Sequence, residues 1–242
     1  MRVLLVHGMA GSAASTWRDN GWIDVLRDEG HHVEACDLLG HGDAPRPHDP
    51  AAFSHLADPL DAALDAAAHA GEPIALVGFS LGARLSLEVA LRRPTDVAAL
   101  VLLGVGAGLF ESWDHEPLAA ALAASPARPA GPASPAVPAA THPFVTHLID
   151  LARTYSDPLC LAALLRYRGN DAIDPVVLGA LSQPALVVVG DADPVGPAGP
   201  LADALGSGRA LTVARCDHFA LPRRFEAIDA TVQALSSAHR RS

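Results

Sequence analysis

The chain has no lysine: all seventeen of its basic residues are arginine. Schiff-base chemistry and pyridoxal phosphate attachment both need an ε-amine, so both are excluded. Cysteine is scarce, and Cys36, Cys160 and Cys216 are far apart, odd in number and in no C-x-x-C pair. They are expected to be reduced packing residues of a cytoplasmic protein. Basic charge is outweighed 17 to 27 by acidic residues, for a formal net charge of −10. That balance argues against nucleic acid or an anionic membrane as partner. No apolar run approaches the ~20 residues a bilayer span requires. Met1-Arg2 leads directly into a strand-like run, so no signal peptide is expected. The twelve histidines contain no H-E-x-x-H pattern, and neither a metal nor another cofactor is expected.

What is present is a 242-residue chain, half hydrophobic, long enough for one substantial core. Short apolar or β-branched runs predict strands at about 2–7, 32–37, 73–78, 97–103, 184–189 and 209–214. Helical patterns fall between them at about 15–29, 52–69, 80–93, 198–206 and 219–237. The alternation predicts an α/β fold with a mostly parallel sheet of about six strands, covered on both faces, with its site at the strand carboxyl ends.

The most informative pentapeptide is Gly78-Phe79-Ser80-Leu81-Gly82, a G-x-S-x-G at the junction of a predicted strand and a predicted helix. A serine in so tight a turn needs small neighbours, and the turn exposes Oγ at the sheet edge with a helix N-terminus behind it. Three further segments end apolar runs in order: Val3 to His7-Gly8-Met9, Cys36 to Gly40-His41-Gly42-Asp43, and Leu186 to Gly190-Asp191-Ala192-Asp193, followed by Asp217-His218.

On these segments the chain resembles the α/β-hydrolase family over almost its whole length, least between about 108 and 180. The resemblance implies Ser80 as nucleophile, His218 as general base and then acid, and backbone N–H groups of Met9 and Leu81 as an oxyanion hole. It places the triad acid at Asp193 by the G-x-x-D pattern, with Asp191 as local competitor and Asp217 disfavoured by its adjacency to the histidine. The strand before offers no carboxylate, because it ends in Gly104-Val105-Gly106. His7 is read as a structural hydrogen-bonder of its loop. Serine at the nucleophile position disfavours the epoxide hydrolases and haloalkane dehalogenases of this family, which use aspartate there.

The resemblance also divides the chain into core (1–107), an inserted strap and helical cap (108–181), and core again (182–242). Six prolines between Glu116 and Ala140 predict an extended or loose strap. Helical periodicity resumes from Phe144 to Leu181, with breaks near Asp157-Pro158 and Gly169-Asn170. Gly104-Val-Gly106-Ala-Gly108 lacks the third glycine of a dinucleotide fingerprint and is read as a flexible passage into the cap.

The leading expectation is a cofactor-independent serine hydrolase acting on a small-molecule ester, thioester or lactone. Two alternatives stand beside it. The run Ser80-Leu-Gly-Ala-Arg84 is similar to the elbow of the menaquinone-pathway synthase family, which implies an eliminating enzyme with Arg84 binding a substrate carboxylate; Phe79, which replaces the tyrosine common there, is with Arg84 a candidate substrate-binding residue. Arg84 otherwise reads as a salt-bridged helix residue. The second alternative is a ligand-sensing pocket on the same fold.

Overall fold

In a computed structural model, described for residues 1–124, 143–168 and 171–240, six strands form one wholly parallel sheet in the order β2-β1-β3-β4-β5-β6. They are β1 (Arg2–Val6), β2 (His32–Cys36), β3 (Ile74–Phe79), β4 (Val97–Leu103), β5 (Ala185–Gly190) and β6 (Gly208–Val213). Each lies within a residue or so of its predicted place. Parallel strands covered on both faces read as continuous apolar runs, and every residue of β3 and β5 is buried. Each large aliphatic side chain so buried contributes about 1.5–3 kcal/mol. Register aligns Val6 with Gly78 and Phe79 with Leu103, which brings the carboxyl ends of β1, β3 and β4 to one edge.

Two core layers sandwich the sheet. One joins α2 (Asp58–Ala70), α3 (Leu81–Arg92) and α8 (Ala198–Ala204) to the sheet through residues such as Leu64, Leu85 and Leu201. The other is built on Trp17, on Trp22 of α1 (Trp22–Asp28), and on Leu235 of α9 (Phe225–His239). The single helix expected over 15–29 is two pieces. A π-helical segment at Ala13–Arg18 ends before α1, because Gly21 turns the chain with φ 79°. The break lets Trp17 and Trp22 meet edge to face at 5.0 Å.

Between β4 and β5 the chain carries α4 (Glu116–Ala123), α5 (Pro143–Tyr155), α6 (Pro158–Arg168) and α7 (Pro175–Leu178). The loose strap expected from Glu116 onward is corrected at its start, where Glu116–Ala123 is helical. Pro117 sits in the first turn, where a missing N–H breaks no helix bond, and Leu118, Ala119 and Leu122 bury the helix on its neighbours. The other five prolines and Gly169-Asn170 lie outside the described residues. The break at Asp157-Pro158 is present, with Asp157 Oδ1 accepting from the Leu159 N–H at the start of α6.

The insertion docks on the core by named contacts. His48 Nε2 meets Asp157 Oδ2 at 2.7 Å, and within the insertion the Ile173 N–H donates to the Leu109 carbonyl at 2.8 Å, tying its two ends together. The flexible passage expected at Gly104–Gly108 is also corrected: a Cβ on Gly106 would stand 2.4 Å from the Gly196 carbonyl oxygen, so that passage is tightly packed. Among the described residues no helix is long and apolar enough to cross a membrane.

Candidate active site

Ser80 occupies the turn between β3 and α3 with φ 53° and ψ −113°, a conformation that costs about 1–3 kcal/mol for a residue other than glycine. The turn is held because the Ser80 N–H donates to the Leu103 carbonyl at 2.8 Å. The flanking glycines permit close approach: a Cβ on Gly82 would lie 2.1 Å from the Val6 carbonyl oxygen, and one on Gly78 would strike α3 backbone at 2.5 Å. The Ser80 side chain makes no capping bond to its own helix, so Oγ is available elsewhere.

Oγ meets His218 Nε2 at 3.0 Å, and His218 Nδ1 meets Asp193 Oδ2 at 2.8 Å. An ionised carboxylate only accepts, so Nδ1 carries the proton and Nε2 is left to accept from the serine hydroxyl. Both Asp193 and His218 are buried, and Asp193 Oδ1 accepts from the Val195 N–H at 3.1 Å, which fixes the carboxylate plane. The two competing carboxylates are engaged in other roles. Asp191 accepts from the Cys216 N–H at 3.0 Å, and the backbone donors of Arg215 and Cys216 hold its carboxyl below the usual range. Asp217 accepts from the Ala220 N–H at 2.8 Å.

The loop after β1 presses on this turn: a Cβ on Gly8 would lie 3.1 Å from the Ser80 Cβ. The Gly8 carbonyl accepts from the Gly11 N–H at 3.1 Å and from His7 Nδ1 at 2.8 Å. A trans peptide points its N–H opposite to its carbonyl, so these two bonds turn the Met9 N–H the other way. His7 is fixed in turn by the Leu38 N–H, which donates to its Nε2 at 3.0 Å. Burial keeps His7 neutral by lowering its pKa, consistent with a structural hydrogen-bonder. Leu81 supplies the first N–H of α3, which has no acceptor within its own helix. Met9 and Leu81 both line the cleft over Ser80.

Phe79 packs its ring 4.9 Å from that of His218, and Gly104, at φ 65°, leaves the room: a Cβ there would lie 2.7 Å from Phe79 and 3.0 Å from His218. Arg84 lines the cleft, but its Nε donates to Glu88 at 2.9 Å and its Nη2 to the Asp171 carbonyl at 2.7 Å. Its guanidinium therefore ties α3 to the insertion while still lining the cleft. Sequence reading missed Phe144, whose ring lies 5.2 Å from that of His218. No motif marks it; its only signal is a large apolar residue just after Pro143 at the start of a helical pattern.

A six-stranded parallel sheet with a strained serine between strand and helix, a histidine after the last strand and a carboxylate after the one before it is the architecture of the α/β-hydrolase fold. A family model described as alpha/beta hydrolase fold matches residues 2–175, and the chain belongs to that family. It is 38% identical over 130 residues to a 2-hydroxy-6-oxo-2,4-heptadienoate hydrolase of Pseudomonas putida, covering 48% of this chain and 44% of that protein. It is 43% identical over 91 residues to a pimeloyl-[acyl-carrier protein] methyl ester esterase of Neisseria meningitidis, covering 36% and 32%. The matches thus span less than half the length of either relative.

Among solved structures, a serine hydrolase involved in carbazole degradation superposes with a TM-score of 0.67 at 24% identity, covering 98% of this chain and 91% of that one. MenH from S. aureus gives 0.70 at 18% identity, covering 99% and 94%. Both share the fold.

Proposed function

We propose that the protein is a cofactor-independent serine hydrolase that cleaves a small or medium ester, thioester or lactone through an acyl-enzyme on Ser80. The observation that carries this reading is the unbroken line from Asp193 through His218 to Ser80 Oγ, at 2.8 and 3.0 Å, opening on a cleft. Ser80 Oγ attacks the carbonyl carbon as His218 Nε2 takes its proton, and the N–H groups of Met9 and Leu81 hold the oxyanion. Losing one such donor costs about 3–4 kcal/mol of barrier in comparable enzymes. The intermediate collapses, His218 hands the proton to the leaving atom, and water attacks the acyl-enzyme by the same route in reverse. Asp193 orients the imidazole and stabilises the imidazolium.

The helices between β4 and β5 act as a cap that shields the acyl-enzyme. The reading also takes the protein as cytoplasmic, with a small-molecule substrate and neither a nucleic-acid nor a membrane partner. Relatives described as an esterase and as a hydrolase support the reaction class. Pre-steady-state turnover of a p-nitrophenyl ester tests the mechanism. A burst of nitrophenol stoichiometric with enzyme, with an acyl adduct on the Ser80 peptide after acid quench, supports it. Turnover in which Ser80 is never acylated overturns it.

A further inference from the structure

The cleft over Ser80 encloses about 1110 Å³, and its two walls differ in chemistry. One wall is supplied by α4, α5 and α6, with Leu118, Val145, Leu148, Leu151, Leu164 and Leu165. These side chains belong to, or pack against, the core layer shared with α2 and α3, and none carries a polar atom. The other wall is formed by Ser15, Thr16, Asp19, Asn20 and Arg223. Those segments are anchored in the opposite core layer through Trp17, Trp22 and Leu221. The Trp22 Nε1–H donates to the Pro222 carbonyl at 2.6 Å and joins them into one surface. The cleft therefore crosses the carboxyl edge of the sheet, mainly apolar on the side of the leucines, where α5 also brings His147 and Tyr155, and polar on the other, with Ser80 at the edge.

The polar wall has capacity left for a ligand. Among the described residues the Asp19 carboxylate and the Arg223 guanidinium make no side-chain hydrogen bond or ion pair. Asn20 uses its Nδ2 on the carbonyls of Ser15 and Thr16 and keeps Oδ1 as an acceptor. Acceptors and donors of both charge signs share this wall. An anionic group would meet Asp19 and Asp217, and a cationic one would meet Arg223. A neutral group with several hydroxyls can satisfy donors and acceptors together.

The orientation follows from the proton. His218 delivers it to the leaving oxygen, and beyond Phe219, which packs on Phe144 and His147 of α5, the chain runs through Ala220 and Pro222 to Arg223 along the polar wall. The leaving group emerges over that wall, and the acyl chain lies toward the leucines. On the hydrolase reading above, we infer that the substrate is an ester joining an apolar acyl chain of medium length to a neutral, hydroxyl-bearing alcohol.

The test compares kcat/KM for glycerol monoesters and ethyl esters across acyl lengths from acetyl to octanoyl. In both series kcat/KM rises about fourfold per methylene, the increment for burying one such group, to at least hexanoyl. At each length the glycerol ester exceeds the ethyl ester. Asp19→Ala and Arg223→Ala each lower the glycerol-to-ethyl ratio at least about threefold, and Leu151→Trp lowers the octanoyl-to-acetyl ratio at least about tenfold. An acyl series that is flat or falling, or a glycerol preference unchanged in both wall variants, overturns the inference. Wild-type protein that takes up a fluorophosphonate on Ser80 but hydrolyses neither series also overturns it while leaving the hydrolase reading standing. Wild type that neither labels nor turns over removes both.

Discussion

Phe144, in the first turn of α5, packs edge-on against the His218 ring, with centroids 5.2 Å apart and planes at 69°. With Phe79 and Phe219 at 4.9 and 5.3 Å, it confines the imidazole that must meet both Ser80 and Asp193. The insertion thus bears directly on the site. Phe144→Ala is expected to lower kcat/KM for a short ester about tenfold and to slow fluorophosphonate labelling of Ser80 in parallel, because small misplacements of a reacting group are costly. Phe144→Tyr keeps the ring and should stay within about threefold of wild type. Wild-type rates in Phe144→Ala would show that the ring does not position His218.

Asp193 and Asp191 lie two residues apart and have different partners, a histidine for one and the Cys216 N–H for the other. Asp193→Asn should lower kcat by a factor of about 100 or more, through loss of the tautomer that leaves Nε2 free to accept. Asp191→Asn should leave kcat within about threefold of wild type. Steady-state kinetics on one ester decides between them, and equal activity in wild type and Asp193→Asn would pass the role to Asp191.

Arg84 bridges Glu88 and the Asp171 carbonyl, so its removal is a stability change before it is a catalytic one. Arg84→Ala should reduce unfolding free energy by about 1 kcal/mol, with kcat/KM for a neutral ester within about threefold. Urea titration and ester kinetics measure the two effects. A hundredfold loss of activity with unchanged stability would instead support the carboxylate-binding role.

His41 is fully buried, and burial, then the neighbouring His7, lowers its pKa from 6.5 to about 3. Between those values the unfolded chain binds a proton that the folded chain does not. Stability therefore falls as pH falls below about 6.5, by about 1.4 kcal/mol per unit from this group, until about pH 3. Burial lowers His7 as well, and it acts in the same direction. Urea midpoints between pH 7.5 and 5.0, above the carboxylate range, should decline steeply in wild type and less steeply, by about one proton, in His41→Gln. Identical slopes would mean that His41 is protonated in the folded state.

The sheet was legible in the sequence because its inner strands β3 and β5 are buried on both faces and read as unbroken apolar runs flanked by turn residues, while the partly exposed edge strands β2 and β6 show shorter apolar or β-branched stretches. The elbow was legible for a steric reason: Gly78 and Gly82 stand where backbone from α3 and β1 leaves no room for a Cβ. Single-residue conformations and long-range contacts were harder to read. Gly21 splits an apparently continuous helical pattern, and the Glu116–Ala123 helix hides behind a proline that its first turn tolerates. Phe144 and His218 are 74 positions apart, and nothing local to either encodes their contact. The polar wall of Asp19 and Arg223 depends in the same way on the meeting of two distant segments, joined by Trp22 and Pro222.

The measurement that bears most directly on the central claim is intact-protein mass after exposure to a fluorophosphonate, run beside p-nitrophenyl ester turnover, for wild type and Ser80→Ala. A serine activated by His218 predicts one adduct and turnover in wild type, and neither in Ser80→Ala. An adduct that persists in Ser80→Ala, or a folded wild type that neither labels nor turns over, would contradict it.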